Sequence, residues 1–174
     1  MRYKRLFLDG YDYFITVVTY ERNPILIENI ALLRESFRYA KSRFVFDIDA
    51  IVVLPDHFHM IIRVENAEDY PKIIGSVKRY FSKKCHPKFY EHLIQSQSRI
   101  DQQYKPVWQK RFYEHTIRNE KEYKTRLDYI HYNPVKHGYV DVVDQWAYSS
   151  FSKFVRNGVY DQNWSDGDTD AKWE

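Results

Sequence analysis

Two stretches dense in β-branched and aromatic residues, Phe44 to Leu54 and His57 to Val64, stand either side of a single break at Pro55-Asp56. Proline and aspartate side by side have the chemistry of a tight turn, so the two stretches are expected to fold back on each other as an antiparallel hairpin. In the first, Phe46, Ile48, Ala50, Val52 and Leu54 share one face and Asp47 and Asp49 begin the other. In the second, alternation sends Phe58, Met60, Ile62 and Val64 to a core face, and His57, His59 and Arg63 to the opposite one. Every other element has to be fitted around this hairpin.

Upstream, Tyr13 to Tyr20 reads as a strand, and Ile25 to Arg43 as an amphipathic helix with Leu26, Ile30, Leu33 and Phe37 at helical spacing. Downstream, Asp69 to Lys84 reads as a second helix with Ile73, Val77 and Phe81 inward, and Cys85 to Lys105 as irregular. Val107 to Arg118 is expected to form a long strand. A third helix starts at Asn119, a fitting N-cap with Glu122 three residues on, and Asn133-Pro134 should end it. The order implies an α+β fold, a ferredoxin-like antiparallel sheet with two helices on one face and the third helix additional to it.

At 174 residues the chain has the length of one domain, and no apolar run is long enough for a membrane span or a signal peptide. With Cys85 as its one cysteine it has no intramolecular disulfide, which fits a reducing cytoplasm. Charge is uneven: of the net +3, residues 159–174 carry −4 and the first 158 carry +7. The expected division is therefore a basic domain over 1–158 and an acidic tail of flexible composition over 159–174. A basic domain suits a polyanionic partner, and 18% aromatic residues offer more flat rings than a core needs, which suits stacking on unpaired bases. A plain solvated basic surface and ordinary packing account for the same numbers.

The chemistry-bearing residues fall in two places. His57 and His59, two residues apart on a strand, point the same way and can share one metal ion, although two histidines on a wet sheet face fit the spacing equally well. In the third helix Tyr123, Leu127 and Ile130 form the buried stripe, within about 60° of one another. Tyr129 lies roughly 120° from Tyr123, off that stripe, and Asn133 lies about 40° from Tyr129 on its own flank. A phenol can attack phosphorus and an amide oxygen can bind a hard cation, but an asparagine near a helix end also serves as a cap.

Four ordered blocks carry a resemblance. They are Leu54-Pro55-Asp56-His57-Phe58-His59, Val77-Lys78-Arg79-Tyr80, Trp108 to His115, and Tyr129-Ile130-His131-Tyr132-Asn133-Pro134-Val135 continued to Val140. Together they resemble the HUH single-strand nucleases with one catalytic tyrosine, and more narrowly the REP-associated tyrosine transposases, over nearly everything from Tyr13 to Ser150. The resemblance implies Tyr129 as nucleophile and a Mg²⁺ or Mn²⁺ ion at His57, His59 and Asn133. It also implies cleavage and transfer of single-stranded DNA near hairpins through a 5′-phosphotyrosine. Lys78, Arg79, Lys83 and Lys84, with Lys110 and Arg111, are the expected nucleic-acid contacts, and His115 is the candidate supporting group beside the site. Monomer and homodimer both remain open. The rival reading is a non-catalytic or domesticated single-stranded nucleic-acid-binding module on the same fold.

Overall fold

The structure is a computed structural model, and it describes residues 7–165. The chain runs β1 (Asp12–Val18), α1 (Ile30–Lys41), β2 (Phe46–Val53), β3 (His57–Val64), α2 (Tyr70–Lys84), α3 (Gln97–Asp101), β4 (Tyr113–Ile117), α4 (Glu120–Lys136) and α5 (Phe151–Arg156). The strands make one antiparallel sheet in the order β2-β3-β1-β4, the ferredoxin-like arrangement expected. α1 and α2 pack together on one face, where Leu33, Phe37, Ile73, Val77 and Phe81 meet Ile15, Val17, Phe58, Met60 and Ile62.

The opposite face is not the wet surface that the two histidines on it suggest. Phe14, Ile61, Ala50, Val52 and Leu54 build a second core there with Leu127 and Ile130 of α4 and Phe151 and Phe154 of α5. β3 is therefore buried on both sides along almost its whole length. A burial of this kind makes the strand apolar on two faces except where chemistry intervenes, and His57 and His59 are the interruption.

β2 feeds both cores by breaking its own alternation. Ile48 pairs with Ile62 and Ala50 with Ile61, so Asp49 is the extra residue of a β-bulge. Phe46 and Ile48 then face α1 and α2, whereas Ala50, Val52 and Leu54 face α4. The single face expected for these five residues is thus divided, because one inserted residue moves everything after it to the other side. The bulged Asp49 pairs with Arg63 at 2.9 Å, and Arg63 also holds Asp12 through two bonds.

Three boundaries differ from the expected ones. Residues 25–29 form turns rather than helix, with Leu26 buried through a bond from its N–H to Pro55 O, so α1 begins at Ile30. The last expected strand is short: Trp108 touches Thr19 in an isolated bridge, and Lys78 Nζ then donates to the Gln109 and Lys110 carbonyls where a ladder would continue. Asn119 does cap α4, accepting from Glu122 N at 2.9 Å, but Pro134 lies inside the helix and does not end it. Only the Ile130 carbonyl loses its helical donor to this proline, close enough to the end to be tolerated. Termination comes at Gly138 (φ 71°), with Gly138 N donating to Val135 O and Tyr139 N to Pro134 O.

The packed domain also continues past the boundary drawn from charge. Tyr160 is buried among Phe151, Phe154 and His131, its hydroxyl donates to Asp128 Oδ1 at 2.6 Å, and Trp164 stacks on it. Of the tail acids only Asp161 lies within the described residues; Asp166, Asp168, Asp170 and Glu174 lie outside them. We expect Tyr160→Ala to cost about 3 kcal/mol in urea unfolding and Tyr160→Phe about 1 kcal/mol, the second variant losing only the bond to Asp128. Near-neutral values for both would detach this segment from the domain.

Candidate active site

His57 and His59 come from the start of β3, an inner strand, and are 4% and 5% exposed. Their rings lie 4.8 Å apart and nearly perpendicular. Each has its Nδ1 engaged: His57 with Asp56 Oδ1 at 2.6 Å, His59 with Thr16 Oγ1 at 2.7 Å across the β1–β3 pair. With Nδ1 engaged by the Asp56 carboxylate, Nε2 is the ring nitrogen that His57 has left for another partner. His59 Nε2 is buried with no hydrogen-bond partner. Burial first, then the neighbouring His57 and His137, hold the His59 imidazole well below its usual value, and so neutral. Burial alone would raise the Asp56 carboxyl, but the hydrogen bond from His57 and the Arg22 guanidinium bring it down to about 2.

α4 supplies the rest. Tyr129 is half-buried, its ring edge-on to His59 at 5.2 Å and to Phe14 at 5.9 Å, with Lys136 Nζ 5.1 Å from the ring centroid. Asn133, one turn further along, is 1% exposed, and neither atom of its amide finds a partner. Leaving such an amide unsatisfied costs on the order of 1–3 kcal/mol, which a bound ion or its water could relieve. Two imidazoles and an amide without a partner are donor types that fit a divalent cation. Among the described residues no three His, Cys, Asp or Glu gather to hold a metal, so any further ligands would be water or substrate oxygens.

The two histidines, Thr16, Tyr129 and Lys136 open onto a cavity of about 520 Å³ lined also by Phe14, Arg22, Tyr113, Arg126 and His137, whereas Asn133 is not part of its lining. Arg126 is buried with its guanidinium over the Phe14 ring at 4.7 Å. Arg22, Arg126 and Lys136 give the lining three cations and no carboxylate, a setting for a phosphate. Sequence reasoning missed Arg22, Tyr113, Arg126, Lys136 and His137. The last two were within reach, seven and eight residues beyond Tyr129 on the same helical flank, had the helix not been ended at Asn133. His115 faces this side of the sheet but stands beyond the cavity, its Nε2 3.4 Å from Glu122 near the start of α4.

A second groove, of about 640 Å³, runs between α2 and residues 99–112. Lys78, Arg79, Lys83 and Lys110 line it, joined by Arg99, Lys105, Tyr104 and Trp108. Lys84 does not: it turns to Glu35 of α1 at 2.8 Å, and Arg111 is also absent from the lining.

Residues 8–133 match the model of the IS200-like transposase family. A REP-associated tyrosine transposase of Escherichia coli K12 is 34% identical over 97% of this chain and 93% of its own length. A Haemophilus influenzae protein named for the same family is 37% identical over 98% of this chain and 96% of its own. A REP-associated tyrosine transposase solved bound to a REP hairpin superposes with a TM-score of 0.80 at 33% identity, covering 95% of this chain and 92% of that one. The chain belongs to the IS200-like transposases, in their REP-associated tyrosine branch. It is by that membership a DNA transposase.

Thr16→Val keeps the shape of the side chain and removes the hydroxyl that orients His59. Mn²⁺ affinity measured by calorimetry should fall about tenfold, with stability changed by about 1 kcal/mol. Unchanged affinity would mean that Thr16 does not orient the ring for a metal.

Proposed function

We propose that this transposase nicks and rejoins single-stranded DNA beside a hairpin, with Tyr129 as nucleophile and Mg²⁺ or Mn²⁺ held by His57, His59 and Asn133. The observation that carries the reading is the 5.2 Å approach of the Tyr129 ring to His59 inside a cavity lined by cations. The cation, when bound, would polarise a non-bridging phosphate oxygen.

This chain's own residues account for the remainder. α4 is fixed by its Asn119 cap and by Leu127 and Ile130 in the second core, so Tyr129 is presented to the cavity without a search. Its Oη bonds to phosphorus as the P–O3′ bond breaks, leaving a free 3′-hydroxyl and a 5′-phosphotyrosine. Because the new link keeps the energy of the old one, a 3′-hydroxyl can reverse the step and join another strand. Arg126 and Lys136 offset the phosphate's charge. The basic groove with Tyr104 and Trp108 suits an unpaired strand or the foot of a hairpin, in keeping with the hairpin-bound relative.

Incubation with single-stranded hairpin oligonucleotides and Mn²⁺ should give a covalent protein–DNA adduct that Tyr129→Phe cannot form. His57→Ala and His59→Ala should lose cleavage and keep most DNA affinity, since the ion acts on the reacting phosphate rather than on docking. A protein that binds hairpins and never forms the adduct is the non-catalytic module instead. Neutralising Arg79 or Lys83 should reduce the slope of log affinity against log salt by about 0.7 each, whereas Lys84→Gln, on the Glu35 side, should leave it unchanged. A slope insensitive to all three would move the DNA off this groove.

A further inference from the structure

Arg22 reaches the cavity from an unusual backbone. Glu21 (φ 50°, ψ 30°) and Arg22 (φ 54°) are consecutive residues in the left-handed region, and among the described residues Gln103 is the one other non-glycine there. Side chains with a Cβ rarely adopt this conformation unless the surroundings impose it. Here they do. Thr19 donates to Asp56 O through both its N–H and its hydroxyl, Tyr20 N donates to Val107 O, and Asn23 Nδ2 donates to Phe89 O. The segment is tied at both ends, and the outcome of the strain is that Arg22 lines the same cavity as His57, His59 and Tyr129.

Asp56 joins Arg22 to the metal-binding face. One carboxylate oxygen holds His57 Nδ1 at 2.6 Å while the other accepts from Arg22 Nη1 at 3.1 Å. Asp56 is 14% exposed, but Arg22 is 62% exposed, and its bond to Asp56 leaves Nε and Nη2 for a ligand in the cavity. The other two cations are less free, Arg126 being buried over Phe14 and Lys136 lying over the Tyr129 ring.

We propose that Arg22 is a phosphate-binding residue of this site and that Asp56 is a positioning residue, holding Arg22 with one oxygen and His57 with the other. The proposal rests on the single-strand nuclease reading above for the identity of the phosphate. A guanidinium matches a phosphate's paired oxygens better than an ammonium does, so the role belongs to arginine rather than to any cation. Asp56 sets the tautomer and direction of His57, as a carboxylate behind a metal-bound imidazole does. Through it the phosphate and the ion are registered against each other before Tyr129 attacks.

The test separates the two functions by using binding readouts. Mn²⁺ affinity is measured by electron paramagnetic resonance without DNA, and affinity for an unpaired oligonucleotide without metal, with circular dichroism to confirm folding. Asp56→Asn should weaken Mn²⁺ binding about 10- to 100-fold, and Asp56→Glu should recover part of it. Arg22→Gln should weaken oligonucleotide binding about tenfold with Mn²⁺ affinity unchanged, and Arg22→Lys should recover only part. Unchanged Mn²⁺ affinity in folded Asp56→Asn, or unchanged oligonucleotide affinity in folded Arg22→Gln, overturns the proposal. If these effects appear while the wild-type protein forms no covalent adduct, the nuclease reading fails and the Arg22–Asp56–His57 arrangement stands as a phosphate and metal site of another use.

Discussion

An imidazole taken out of water has two ring nitrogens to satisfy, and here that requirement falls on two rings at once. His57 and His59 are enclosed between β3 and α4, where neither can turn freely and His59 cannot charge cheaply. Asp56 and Thr16 answer one nitrogen of each, and doing so fixes the direction of the other. The hairpin turn, the β1–β3 register and the covering helix are all needed to keep this arrangement. Had the second face of the sheet been open, the same two histidines would have been ordinary solvated side chains.

α4 therefore does two jobs that cannot be separated. Its apolar stripe, Leu127 and Ile130, closes the second core, and its adjoining flank carries Arg126, Tyr129, Lys136 and His137 to the rings. The cap at Asn119 and the stop at Gly138 set where that flank begins and ends. The bulge at Asp49 belongs to the same economy of parts, since it is what lets Ala50, Val52 and Leu54 meet the helix while Phe46 and Ile48 stay with the other core.

Much of this was legible in the residues. Periodicity found the hairpin, the three long helices and the side on which His57 and His59 lie, and helical angles separated Tyr129 from the stripe of Leu127 and Ile130. What escaped has physical reasons. A bulge adds one residue with no compositional mark, so Ala50, Val52 and Leu54 were given the wrong partner layer. Pro134 was read by its average behaviour, although near a C-terminus it removes a single bond, and the misplaced end hid Lys136 and His137. Lys78 looked like a free surface cation, yet it occupies two carbonyls and replaces the start of a strand. Arg22 could not be found at all by spacing, because a left-handed segment held by distant contacts has no period.

The histidines of the cavity stand on β3 and its tyrosine on α4, two elements joined through the second core. A substitution that loosens that core would let the helix drift from the sheet and part the two halves of the cavity while leaving every residue that lines it in place, so the apolar contacts of Leu127 and Ile130 act as a hinge pin for side chains they never touch.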